Sequence, residues 1–376
     1  MQRHRSSATP LAVLYAALIV YASLYPFAGW RMPGQGVLDF VAQPWSRWWT
    51  GFDLIANLVG YVPLGGLAFV ASVRSGQPAM RSWLLGTLVG AGLSLAMETL
   101  QNFLPPRIPS NVDLGLNIAG ALLGASFGAL VHAKGGVARW QTVRDRWFTQ
   151  RSAGGIALLI AWPLALFFPL PLPLGVGQML ARVREGLLAM LQDTSFAGWA
   201  GNWLPAEPAA HRLGPGAEWL VMAFGLLAPC LIAYSITLPG WRRPVLAVLL
   251  SAVGVFTTAL STALNFGPQH AFAWATPRSV SALAAALSIA VALTWLARRA
   301  VSALGLVALT ALIVLVTLAP ADPYFAQSLQ AWEQGRFIRF HGASQWIGWL
   351  WPYAALGHLL AMTSLRADRV RPSAPP

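Results

Sequence analysis

Seven polar side chains that could bind a ligand interrupt an otherwise apolar stretch in the N-terminal third of the sequence. Two aspartate–asparagine pairs are four residues apart and a glutamate–glutamine pair is three apart, so each pair shares one face if its segment is helical. Carboxylates and amides suit sugar hydroxyls or a divalent cation, because hard cations prefer oxygen ligands, and a guanidinium suits phosphate. The seven residues are Asp53, Asn57, Glu98, Gln101, Arg107, Asp113 and Asn117.

The three acids differ in how well a structural role explains them. Asp53 and Asp113 each open an apolar segment, where an acid in the first helical turn complements the macrodipole and caps free N–H groups. Glu98 closes an apolar segment, so its charge opposes the dipole of its own helix. Ionisable groups at membrane depth mark a function or pair with one another, and an ion pair between Glu98 and Arg107 is the structural alternative.

Catalysis stays open at this stage. In an enzyme, Glu98 in a partly desolvated site would be the best candidate for a general base. The sequence contains no recognisable nucleophile–base motif, HExxH motif, P-loop or lipid-phosphatase signature. Neither a cofactor nor a bound metal is expected.

Membrane-spanning helices must position these residues. Of the 376 residues, 56% are hydrophobic and only 10% are charged, against about 25% charged in a typical soluble domain. Apolar runs of roughly 20 residues, enough to cross a bilayer, recur along the whole chain. We predict an all-α, polytopic transmembrane bundle of about ten spans, within a range of roughly eight to ten. The candidates cover residues 10–28, 53–72, 82–100, 112–132, 154–173, 217–238, 245–264, 280–297, 300–319 and 345–364.

Charge predicts the orientation of these spans. The net charge is +13, and most basic residues lie in the termini and in alternate short connections, as the positive-inside rule describes. This pattern places both termini in the cytoplasm and the chain in a bacterial inner membrane, and it argues against nucleic acid as a partner. Spans two and four then enter from outside and span three returns, so the three carboxylates reach the outer interface.

The chain divides into three predicted regions. Residues 1–135 form a first transmembrane domain, 136–153 a basic cytoplasmic loop, and 154–376 a second transmembrane region. Within the last region, residues 176–193 have the spacing of an amphipathic helix in the outer interface. The single cysteine, Cys230, lies in an apolar run, so we expect a buried thiol and no intrachain disulfide. The oligomeric state stays open.

The order and spacing of the polar motifs resemble the VanZ-like membrane protein family. The resemblance rests on Asp53-x3-Asn57 with Pro63-Leu64-Gly65, Glu98-x2-Gln101, Arg107, Asp113-x3-Asn117 and Gly120, and it covers about residues 10–132. It implies a small α-helical membrane domain of the bacterial envelope. The founding member is associated with lowered sensitivity to teicoplanin, and no reaction is established for the family. Because the long second half departs from the family pattern, a resistance role is not carried over.

A degenerate internal repeat is a further hypothesis. Residues 82–103 align without gaps on 245–266, which sets Glu98 opposite Ser261, and a separate match of Pro109 to Pro277 sets Asp113 opposite Ser281. The interpretation is a duplicated four-helix unit whose second copy has lost the polar site.

Three functions remain open from the sequence. The outward-facing site binds an envelope lipid, a lipid-linked sugar or a glycopeptide; or the protein transports or flips a lipid or solute; or the cluster only packs helices in a structural or accessory membrane protein. The lipid bilayer is a partner in all three cases.

Overall fold

The computed structural model describes residues 7–25, 27, 29–34, 36–44, 51–105, 107–168, 170, 172–191, 194, 196, 198, 213–318 and 338–364. Within these residues the chain is mostly α-helical and has no β-strand, so the predicted all-α class is confirmed. The chain forms two compact units, Met1–Ala157 and Leu158–Pro376.

Helices of the first unit begin and end at residues with clear local causes. Ser110 caps α4, because its hydroxyl accepts the backbone N–H groups of Val112 and Asp113. Gly135, at φ +73°, provides the left-handed turn between α4 and α5. The predicted basic loop 136–153 is therefore helical over much of its length. The described helices are α1 (Ala8–Leu24), α2 (Gly51–Arg74), α3 (Ala79–Gln101), α4 (Asn111–Ala133), α5 (Gly136–Trp147) and the start of α6 (Ala153–Leu166).

A buried arginine holds α5 against the start of α6. Arg144 is 2% exposed, and its guanidinium donates to the hydroxyl of Ser152. Burial lowers the pKa of this guanidinium, the nearby Arg74 lowers it further, and Asp145 acts in the opposite direction.

The second unit contains the rest of α6 and a further set of helices. One of them, α7, falls within the predicted interfacial segment 176–193 and exposes Leu180, Val183 and Leu187 on its surface. Its location in the membrane interface stays a prediction. Cys230 is fully buried, as expected. The described helices are α7 (Met179–Leu191), α8 (Pro215–Ser235), α9 (Arg242–Phe266), α10 (Pro277–Ala292), α11 (Arg298–Leu318) and α12 (Ile338–Ser364).

Each of the ten predicted spans coincides with a helix, but only seven helices of the described residues are long and apolar enough to cross a membrane. Those seven are α2, α3, α4, α8, α9, α11, and α10 together with the 3-10 turn that extends it to Trp295. Helix α1 has 17 residues and α6 has 14, or about 25 and 21 Å at 1.5 Å per residue, which is less than the roughly 30 Å hydrocarbon core. Helix α12 has 27 residues but a more polar composition.

Glycines let α2 and α4 pack backbone against backbone. A Cβ on Gly120 would overlap the carbonyl oxygen of Leu58, and one on Gly124 would overlap that of Val62. Small residues permit such close contact in membranes, where van der Waals packing holds helices together. The close α2–α4 pair, with α3 packed against both, is the frame that holds the polar residues of the first unit.

In the second unit, a fully buried arginine joins the ends of two helices. The guanidinium of Arg243 donates to the carbonyl oxygens of Tyr234, in the last turn of α8, and Thr237, just beyond it, and to those of Thr294 and Leu296, which follow α10. A cation at the C-terminal ends of helices satisfies free carbonyl groups and complements both dipoles. This end of the unit is therefore fixed by a structural cation.

Candidate functional site

Glu98 is the central residue of the predicted cluster. It lies in the last turn of α3, is 4% exposed, and its Oε2 accepts the backbone N–H of Ser110 at 2.9 Å. Because Ser110 caps α4, the carboxylate lies at the positive end of the α4 dipole while it opposes that of α3. This neighbour explains how a carboxylate is tolerated at the end of α3.

Asp113 brings a second carboxylate to the same place. It is half-buried in the first turn of α4, its own N–H donates to the Ser110 hydroxyl at 3.3 Å, and its charge interacts with that of Glu98. Two acids make this end of the unit rich in hydrogen-bond acceptors. The structure thus brings Glu98 and Asp113 close together.

Asn117 lies one turn deeper on α4. It is 4% exposed, and its Nδ2 donates to the hydroxyl of Ser94 on α3 at 2.9 Å. Its Oδ1 is buried and has no hydrogen-bond partner among the described residues. The hydroxyl of Tyr61 is buried beside Ser94 without a hydrogen bond of normal geometry. Sequence reasoning missed Ser94 and Tyr61, although Ser94 is four residues from Glu98 and Tyr61 four from Asn57, the spacing of a shared face.

Gln101 and Arg107 point to a different neighbour, the end of α1. Gln101 Nε2 donates to the carbonyl oxygen of Ser23 at 3.0 Å, and Arg107 donates to those of Ala22 and Tyr25 at 3.3 and 2.6 Å. Both side chains therefore cap free carbonyl groups of α1. The alternative ion pair between Glu98 and Arg107 does not occur among the described contacts.

Two asparagines that sequence reasoning did not select hold the segment 36–44 over these helix ends. Asn102 donates to the carbonyl oxygen of Val37 at 2.9 Å, and Asn111 donates to that of Gln43 at 2.6 Å. Between those two carbonyls, Phe40 is 1% exposed. Only the location of both asparagines in the polar motifs could have suggested them.

The remaining predicted residues are less well connected. Asn57 is half-buried on α2, and no hydrogen bond of its amide occurs among the described contacts. Asp53 lies in the first turn of α2, but its side chain falls outside what the structure describes. Among the described residues, no three His, Cys, Asp or Glu side chains lie together as metal ligands would.

Comparison with known proteins gives one finding. No curated protein and no solved structure matches the chain. Residues 9–132, however, match the model of a family described as VanZ/LLP1. The resemblance predicted from the sequence is therefore confirmed for the N-terminal third of this all-α membrane protein, and that third is similar to the VanZ/LLP1 family.

Proposed function

We propose that this membrane protein belongs to the bacterial cell envelope and that its first unit binds the polar headgroup of an envelope lipid, a lipid-linked sugar or a glycopeptide. The observation that supports the proposal is the group of acceptors gathered where α3 ends and α4 begins. Glu98 and Asp113 supply carboxylates there, and the amide oxygen of Asn117 lies one turn deeper without a partner among the described residues.

Because these groups of the protein are hydrogen-bond acceptors, the ligand must carry hydrogen-bond donors. An ammonium group or sugar hydroxyls supply them, and an ammonium group forms the stronger, charge-assisted hydrogen bonds to carboxylates. Asp113 is half-buried and forms the accessible edge, with the buried Glu98 behind it. We therefore expect a headgroup to contact Asp113 directly and to interact with Glu98 mainly through its charge.

The predicted orientation of the spans determines which leaflet this site faces. The distribution of basic residues favours cytoplasmic termini in a bacterial inner membrane, which directs this site to the outer leaflet. Lipid headgroups, lipid-linked sugars and glycopeptides with donor groups all reach that surface. The site needs no reaction to serve as a binding site, and the proposal includes none.

The experiment compares two lipid headgroups that differ in the number of their hydrogen-bond donors. Phosphatidylethanolamine carries an ammonium with three N–H donors, whereas the choline of phosphatidylcholine has none. In nanodiscs with equal amounts of both lipids, native mass spectrometry should find phosphatidylethanolamine retained about tenfold more often, near the lower end of what one charge-assisted hydrogen bond contributes. Glu98→Gln and Asp113→Asn should each remove most of this preference.

Asp39→Asn is the matched control. Asp39 is an exposed carboxylate that accepts the backbone N–H of Gly36 at 2.7 Å, so the same chemical change is made outside the cluster. It should leave the preference intact. Equal retention of both lipids by the wild type, or the same ratio in all variants, would sink the proposal.

A second function is favoured by a separate observation. Gln101, Arg107, Asn102 and Asn111 all donate to backbone carbonyls of other segments, which is what a cluster that only fastens helices requires. Under this structural alternative, Glu98→Gln and Asp113→Asn lower the amount of protein in the membrane. Under the binding proposal, they leave that amount unchanged and alter only lipid retention.

A further inference from the structure

The second unit contains a cavity of about 460 Å³. Its walls come from the first turns of α8 and α10, the last turns of α9 and the segment that follows α6. Small-molecule sites occupy roughly 300–1,000 Å³, so the volume suits one ring-sized polar group with part of an apolar chain. Apolar side chains such as Leu172, Met222 and Phe266 form much of the lining.

Three residues of this lining each have a buried polar atom without a hydrogen-bond partner in the described part of the chain. These atoms are the hydroxyl of Thr258, the amide oxygen of Asn265 and the indole nitrogen of Trp274. The amide of Asn265 is held in place, because its Nδ2 donates to the carbonyl oxygen of Ser261 at 2.7 Å. Buried polar groups without partners are costly and uncommon, and three around one cavity indicate a missing polar ligand.

The three groups also determine which hydrogen-bond donors and acceptors the ligand must carry. The indole N–H needs an acceptor, the amide oxygen needs a donor, and the threonine hydroxyl accepts either. A hydroxyl group is both donor and acceptor, so a group with neighbouring hydroxyls satisfies all three at once.

Charge at the cavity excludes a strongly ionic headgroup. Glu218 and Arg278 both line it and form an ion pair with each other, with both side chains partly exposed. These opposite charges compensate, so the described lining offers little net charge to an anion or a cation. A neutral, hydroxyl-rich headgroup fits the cavity better than a phosphate or an ammonium.

We infer that this cavity binds the neutral sugar headgroup of a membrane glycolipid. The sugar hydroxyls bond to Thr258, Asn265 and Trp274, and the hydrocarbon chain lies along the apolar lining. The inference goes beyond the function proposed for the first unit, since it involves none of that unit's residues.

The experiment uses the full chain, purified without sugar-based detergents. Phosphatidylcholine nanodiscs are doped with equal amounts of monoglucosyl diacylglycerol, phosphatidylglycerol and phosphatidylethanolamine, and native mass spectrometry counts the retained lipids. The glucosyl lipid should be enriched about tenfold over phosphatidylglycerol. Thr258→Val and Trp274→Phe, which each remove one polar atom with little change in shape, should reduce that enrichment about fivefold.

Matched controls lie beside the cavity on the same helices. Thr257 is buried on α9 next to Thr258 but outside the lining, so Thr257→Val should leave the enrichment unchanged. Trp219 on α8 already donates its indole N–H to Ser281, so Trp219→Phe should also leave the enrichment unchanged. Thermal unfolding of each variant verifies that it is folded.

The other possible outcomes would contradict the inference. Enrichment that Thr258→Val and Trp274→Phe leave intact, or no enrichment at all, would mean that the cavity holds only water. A preference for phosphatidylglycerol would replace the neutral sugar by an anionic headgroup and overturn the inference. Glu98→Gln should not change retention of the glucosyl lipid, so failure here and failure of the first proposal are distinguishable.

Discussion

The two units differ in the polar groups that they place where one helix ends and the next begins. In the first unit Glu98 accepts the N–H of Ser110, and a second carboxylate lies beside it. In the second unit the aligned Ser261 donates to the carbonyl oxygen of Phe167, and the charges that remain, Glu218 and Arg278, pair with each other. The first site brings two carboxylates together, whereas the second pairs its opposite charges and contains a cavity.

This contrast bears on the repeat hypothesis. The sequence comparison predicted that the second copy has lost its polar site. The carboxylates are indeed absent at the aligned positions, but Thr258, Asn265 and Trp274 supply polar groups at other positions around the cavity. A loss of charge is therefore not a loss of ligand chemistry. The duplication itself stays a hypothesis.

The largest expected effect tests whether both sites face the same side of the membrane. Ile108 is 86% exposed beside the first site, and Gln269 is exposed beside the second. Under the predicted topology, Ile108→Cys and Gln269→Cys should react fully with a membrane-impermeant maleimide in intact cells. Gln77→Cys and Leu238→Cys, both exposed on the predicted cytoplasmic side, should react only after permeabilisation.

Cys230 gives this experiment a low background, because the native thiol is fully buried. Labelling of Ile108→Cys and Gln269→Cys from opposite sides would end the duplication hypothesis. Labelling of both only after permeabilisation would mean that both sites face the cytoplasm and would contradict the proposed orientation.

The next effect concerns how each unit packs. A Cβ at Gly124 meets the backbone carbonyl of Val62, which cannot move alone, whereas a Cβ at Gly254 in the second unit meets the tip of the Trp162 ring at 2.7 Å. We expect Gly124→Ala to lower the free energy of unfolding by about 3 kcal/mol and Gly254→Ala by about 1 kcal/mol. Thermal unfolding in detergent micelles measures both.

Gly92→Ala is the control for these two variants. No atom lies within 4 Å of a Cβ at Gly92, so alanine should be neutral or should stabilise α3 by up to about 1 kcal/mol through helix propensity. An equal cost at Gly124 and Gly254 would contradict the distinction between backbone and side-chain packing.

The sequence predicted the helices and half of the first site for identifiable reasons. Apolar runs located ten of the twelve described helices, and the alternating directions of the predicted spans placed Glu98 and Asp113 at the same end of α3 and α4. Spacing cannot say which neighbour a face meets, however, so the turn of Gln101 and Arg107 towards α1 was not predictable. Their partners are backbone carbonyls, which residue types do not reveal. The cavity escaped prediction because its polar lining consists of neutral residues from several separate segments.

The smallest expected effect compares two buried hydroxyls in the absence of ligand. Tyr61 in the first unit and Thr258 in the second each bury a hydroxyl without a hydrogen bond of normal geometry. Because an unpartnered buried polar group is destabilising, Tyr61→Phe and Thr258→Val should raise the free energy of unfolding by about 0.5–1 kcal/mol in plain phosphatidylcholine nanodiscs. With monoglucosyl diacylglycerol added, Thr258→Val should lose its advantage, because the wild type alone gains a full set of bonds to the sugar. Tyr61→Phe should keep its advantage, and a loss of stability on Tyr61→Phe in either lipid would instead assign a hydrogen bond between Tyr61 and Ser94.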